Sequence, residues 1–127
     1  MNEADLISHF PRLWHMAEDG SFESIWAHGL LSTSSLLDLY GVKGKERAAL
    51  ESQRRPKPVT ISREGLPNAI IRDQKPMTES ALKKCLADGV TPSEWFKILN
   101  DRAFFWLSRD RLQGLLRLVA RFTQSDG

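Results

Sequence analysis

The chain has 127 residues, enough for one hydrophobic core but not for two. Hydrophobic residues make up 41% and charged residues 27%, which excludes a disordered tail, a collagenous chain and a membrane protein. Eighteen Lys and Arg against 16 Asp and Glu leave a net charge of +2, too small for bulk attraction to nucleic acid or to anionic lipid. The lone Cys85 cannot form an internal disulfide, and residues 1–5 have neither the basic nor the apolar region of a signal peptide. The expectation is therefore a single domain over 1–127, in the cytoplasm and without a membrane partner.

In chain order, residues 3–9 predict a short helix stopped before Pro11. Residues 12–17 predict a strand, with Leu13 and His15 on one face and Trp14 and Met16 on the other. Ser21 can cap a helix over 22–28, whose Phe22, Ile25 and Trp26 form an apolar stripe expected to face the core. Gly29 stops it, and Leu30 and Leu31 are expected to re-enter the core. One of the hydroxyls of Ser32, Thr33, Ser34 and Ser35 caps a helix over 36–40, ended by Gly41.

The charged stretch that follows predicts a solvated helix over 44–54, ended by Pro56. Strands are expected over 59–61 and 69–72, with a turn between them and an irregular segment over 73–77 after them. Thr78 caps a helix over 79–87 with Leu82, Cys85 and Leu86 on one stripe, which makes Cys85 a buried thiol. Thr91, Pro92, Ser93 and Glu94 spell a capping box with proline at the first helical position, opening a helix that carries Trp95, Phe96 and Leu99. The apolar run 103–107 predicts a central strand. Ser108 then caps a last helix with Leu112, Leu115, Leu116 and Val119 at helical spacing. The fold class expected is α+β: a small split sheet of short strands with about six helices.

Familiar catalytic motifs are absent. There is no phosphate loop, no Gly-x-Gly-x-x-Gly after a strand, no Cys-x-x-Cys and no Gly-x-Ser-x-Gly. His9, His15 and His28 lack zinc-ligand spacing, so no metal site is expected.

The more specific signal lies in residues 12–35. The strand Leu13, Trp14, His15, Met16, Ala17 leads into the helix Ile25, Trp26, Ala27, His28, which closes on Gly29, Leu30, Leu31 and Ser32. This order resembles the opening of the ADP-ribosyltransferase-like superfamily, closest to its DNA-modifying toxin branch and the RNA 2′-phosphotransferases. Residues 30–41, 71–77 and 104–107 resemble an uncharacterised bacterial family of the same superfamily.

The resemblance implies that His15 hydrogen-bonds a ribose hydroxyl of NAD. A neutral imidazole, which accepts at one nitrogen and donates at the other, suits that task. It implies that Ser32, with Thr33 and Ser34, lies beside the same pocket, and that Arg72 or Arg55 holds a diphosphate with its guanidinium fork. It also implies a late acid to stabilise the oxocarbenium-like centre, and a further strand after the last helix. No Glu follows Glu94, and Asp73 and Asp110 are the acids left as substitutes. On that pattern the chain is a member shortened at its C-terminal end.

The function implied is binding of NAD, or of an ADP-ribosyl or other nucleotide ligand, in a cleft near His15. Transfer to a nucleic-acid or protein acceptor would follow. The alternative is a non-catalytic nucleotide- or protein-binding module on the same fold. Arg54, Arg55 and Lys57 read as a solvated helix end or a local phosphate-contact patch. Of Phe104, Phe105 and Trp106, expected in the core, one ring could instead flank a base.

Overall fold

Two runs of β-branched and apolar residues make the sheet. Val59–Ile61 (β1) and Ala69–Ile71 (β2) pair antiparallel, with Val59 opposite Ile71, Thr60 opposite Ile70 and Ile61 opposite Ala69. This is a computed structural model, and the residues it describes are 2–114, 116 and 117. The helices are α1 (Glu3–His9), α2 (Phe22–His28), α3 (Thr33–Leu39), α4 (Gly44–Glu51), α5 (Glu79–Cys85) and α6 (Pro92–Asn100), and helical backbone resumes at 109. The fold is α+β, a small sheet among short helices.

The chain divides into two compact units. One takes Met1–Met16 and the segment from Phe104 onward; the other takes Ala17–Ala103 and holds the hairpin and α2 to α6.

The second unit has a continuous core of Leu37, Tyr40, Val42, Leu50, Ile61, Ala69 and Ile71, with Leu36, Leu39, Val59 and Leu66 packed against it. It joins α3, α4 and the inner face of the hairpin. Tyr40 is buried, so its hydroxyl needs partners. It donates to the carbonyl of Pro67 and meets Ser24 Oγ at 3.1 Å.

The caps explain most helix boundaries. Asn2 and Thr91 each complete a reciprocal box, Asn2 with Asp5 and Thr91 with Glu94. Thr78 accepts from the amide of Ala81. Ser32 accepts from the amide of Ser35, so α3 begins three residues before the predicted 36. It ends in a Schellman turn: Gly41 N–H bonds Asp38 O at 3.2 Å and Val42 N–H bonds Leu37 O at 3.0 Å. That turn needs φ +69° at Gly41. An added Cβ there would sit 3.6 Å from the nearest atom, on Arg63, so there is space and the cost is backbone strain alone. Gly41→Ala is expected to lower stability by about 1 kcal/mol in urea denaturation, with no change in slope.

Several expectations are corrected. The segments 12–17 and 103–107 are not extended strands but share one antiparallel pair, Trp14 with Trp106, which exchange two backbone bonds. Phe104, Phe105 and Leu107 are exposed, so this run is not a central strand and does not lie in the core. In α2 two of the three residues of the predicted inner stripe face out: Phe22 is 70% and Trp26 82% exposed, their rings stacked with centroids 6.0 Å apart, while Ile25 is half-buried. The buried face carries Ser24, turned inward to serve the Tyr40 hydroxyl. Ser21 sits at the N-cap position but makes no cap bond. Leu30 is exposed and Leu31 half-buried, so neither re-enters the core.

Helix α4 stops at Glu51 rather than 54, because side chains take its last carbonyls. Arg55 Nη1 donates to Leu50 O at 2.6 Å and Asn100 Nδ2 to Glu51 O at 2.8 Å. Helix α5 ends at Cys85, whose side chain is exposed and not buried. After 108, Leu112 is buried and Leu116 exposed, while Leu115 and Val119 lie outside the described residues.

Candidate functional site

His15 belongs to the first unit. The backbone pair of Trp14 with Trp106 brings the carbonyl of Phe104 to its side chain, and His15 Nδ1 lies 3.0 Å from that oxygen. A carbonyl only accepts, so Nδ1 carries the proton. The neutral ring then presents Nε2 as an acceptor. Phe105 lies beside the imidazole, its centroid 5.7 Å away at 58°. The Arg109 guanidinium sits 5.6 Å from the centroid of the Trp14 ring. His15, Phe104 and Phe105 are all exposed. Within this unit the imidazole is held by the Phe104 carbonyl with Phe105 beside it.

Ser32, Thr33, Ser34 and Arg72 belong to the second unit. Ser32 Oγ is the α3 cap and donates to Ser35 Oγ at 3.0 Å, so local structure accounts for its hydroxyl. Thr33 and Ser34 occupy the first turn of α3, and Ser34 lines an open cleft of about 550 Å³. Arg72 does not pair with Asp73. Its Nε lies 3.1 Å from Glu18 Oε2, as an ion pair off the line of a hydrogen bond. A phosphate held by Arg72 would compete with Glu18.

Arg55 is corrected most strongly. It is neither a solvated helix end nor open to a diphosphate, being only 6% exposed. It donates from Nε to Arg72 O and from Nη1 to Leu50 O and Asn100 Oδ1, while its own amide bonds Gln74 Oε1. Burial pushes its pKa below the ordinary arginine value, and the Asp73 charge partly offsets this.

The Ser34 cleft contains charges that sequence reasoning passed over. Arg47 donates to Asp38 at 2.5 Å and to Glu51 at 3.1 Å. These hydrogen bonds, Asp38 first, raise the Arg47 pKa above its usual value. Lys97, Asp101 and Arg102 line the cleft from α6 and the turn after it. The available signal was spacing: Arg47 and Glu51 stand four residues apart on α4.

Among the described residues no group of three or more His, Cys, Asp and Glu could hold a metal ion, and no helix is long and apolar enough to cross a membrane. No curated protein matches the chain, and no solved structure does. A family model does match, over residues 11–125, a span that takes in His15, the hairpin and every helix from α2 to α6. The chain therefore belongs to DUF7002, a family of unknown function.

Proposed function

We propose that this chain binds NAD or a related ADP-ribosyl nucleotide at His15, in the manner of ADP-ribosyltransferase-like proteins. The observation that supports the reading is the fixed tautomer. With Nδ1–H held by the Phe104 carbonyl, Nε2 accepts from a ribose hydroxyl. Phe105, beside the imidazole, offers an apolar face to a base or nicotinamide ring. Transfer to a nucleic-acid or protein acceptor would need an acid, and Asp73 and Asp110 are exposed. The location that goes with this reading is the cytoplasm, in keeping with a single cysteine.

Calorimetric titration of the full chain with NAD and with ADP-ribose tests the proposal. Saturable binding is expected, weakened about tenfold or more in His15→Ala, the loss of one hydrogen bond to a sugar hydroxyl. His15 is exposed, so the variant keeps its fold. The absence of saturable heat with either ligand, or equal binding by His15→Ala, overturns it.

The exposed stack of Phe22 on Trp26 favours the second reading, a non-catalytic module that binds a protein. Nicotinamide release in the presence of NAD separates the two. Release favours the transferase, whereas nucleotide binding without turnover favours the module.

A further inference from the structure

The cleft among α3, α4 and α6 has two walls of opposite charge. On the α3 and α4 side stand Asp38, Arg47 and Glu51, two carboxylates joined by one guanidinium, so this wall carries one net negative charge. Arg47 uses both terminal nitrogens within the wall, while the Asp38 side chain stays 70% exposed. The α6 side holds Lys97, Asp101 and Arg102, with one net positive charge. Lys97 and Asp101 are one helical turn apart, yet no ion pair joins them among the described residues. Arg102 gives one nitrogen to the carbonyl of Ile98 and keeps the rest of its fork.

The two walls are held at their base. Asn100, buried directly before Asp101, donates to the Glu51 carbonyl and accepts from Arg55. Arg55 binds the Leu50 carbonyl beside Glu51. Burying a guanidinium with carbonyl and amide partners alone is unfavourable unless the geometry is good. Here it fixes the ends of α4 and α6, from which Glu51 and Asp101 enter the cleft. The cleft is open to solvent along its length, with a volume of about 550 Å³.

We infer that this cleft binds a zwitterion of the amino-acid or dipeptide class, its ammonium toward Asp38 and its carboxylate toward Lys97 and Arg102. A simple anion would meet three carboxylates, and a simple cation would meet Lys97 and Arg102. A ligand charged at both ends engages both walls. This site is separate from the nucleotide reading and does not depend on it.

The test is a titration of the full chain followed by amide shifts in ¹H–¹⁵N spectra, using L-alanine and L-alanyl-L-alanine. Sodium acetate, methylammonium chloride and inorganic phosphate are the single-charge controls. Saturable shifts at Ser34, Lys97 and Asp101 are expected in the millimolar range for at least one zwitterion, with each control weaker by about tenfold. Tighter binding of the amino acid or of the dipeptide tells which length fits. Lys97→Ala and Asp38→Asn change exposed side chains and should each weaken binding about tenfold while leaving the spectrum of the core intact. Saturation by acetate or phosphate at the same concentration as by either zwitterion overturns the inference. So does the absence of saturable shifts with both zwitterions up to about 50 mM.

Discussion

Arg55→Ala is expected to lower folding stability by about 3–5 kcal/mol, a large share of what a domain of this size has. The side chain reaches three elements. It bonds the end of α4 through Leu50 O, the exit of β2 through Arg72 O and the end of α6 through Asn100 Oδ1. Removing it leaves those three acceptors without their donor, in a site where Arg55 and Asn100 are only 6% and 3% exposed. Each buried acceptor left unpaired costs about 1–3 kcal/mol. Arg55→Met should do almost as badly, since it restores volume but no donor. Arg55→Lys should recover part of the loss, with one ammonium in place of a planar fork. Asn100→Ala should cost about 1–3 kcal/mol, because it breaks the bonds to Glu51 O and to Arg55 together. The double variant should cost less than the sum of the singles by about 1 kcal/mol or more, the mark of one shared network. Urea denaturation of the four chains supplies the cycle. Additivity within about 0.5 kcal/mol would show that the two residues act independently.

That network was not legible in the sequence, for a physical reason. Arg54, Arg55, Pro56 and Lys57 look like a charged helix end, and charged residues are rarely buried. What buries Arg55 is the distant Asn100, 45 positions along, together with a backbone bond from Gln74 N to Arg55 O. No local pattern encodes such a partner. The elements that could be read were those with local causes. The Thr91 box, the Thr78 cap and the Gly41 stop depend on residues within a few positions, and the hairpin pairs residues at most 12 apart. The same contrast divides the candidate site. His15 was identified from the order of residues around it, but its tautomer depends on Phe104, 89 positions away. Ser32 was singled out from a run of four hydroxyls, and a cap bond to the next turn accounts for it. The cleft escaped notice because its charges come from three helices and look like solvated faces on each of them.

The helix on which sequence and structure disagree most gives the second large effect. By spacing alone, Phe22, Ile25 and Trp26 are the core stripe, and Trp26→Ala should then be ruinous. The structure assigns the central role to Leu37, which is 0% exposed, while Trp26 is 82% exposed. Leu37→Ala is therefore expected to cost about 3–5 kcal/mol, the lost transfer energy plus a cavity that the hairpin and α4 cannot wholly close. Leu37→Met keeps the volume and should cost less than about 1.5 kcal/mol. Trp26→Ala removes only a stack with Phe22 on the surface and should cost less than about 1 kcal/mol. The reason for the reversal is Tyr40. Its buried hydroxyl draws Ser24 inward, and on a helix of seven residues that turns Phe22 and Trp26 to the opposite side. Tyr40→Phe should accordingly cost about 1–2 kcal/mol, because Ser24 Oγ and the Pro67 carbonyl both lose their partner. Equal losses for Trp26→Ala and Leu37→Ala would put the stripe back in the core. They would also remove the exposed aromatic pair on which the protein-binding reading stands.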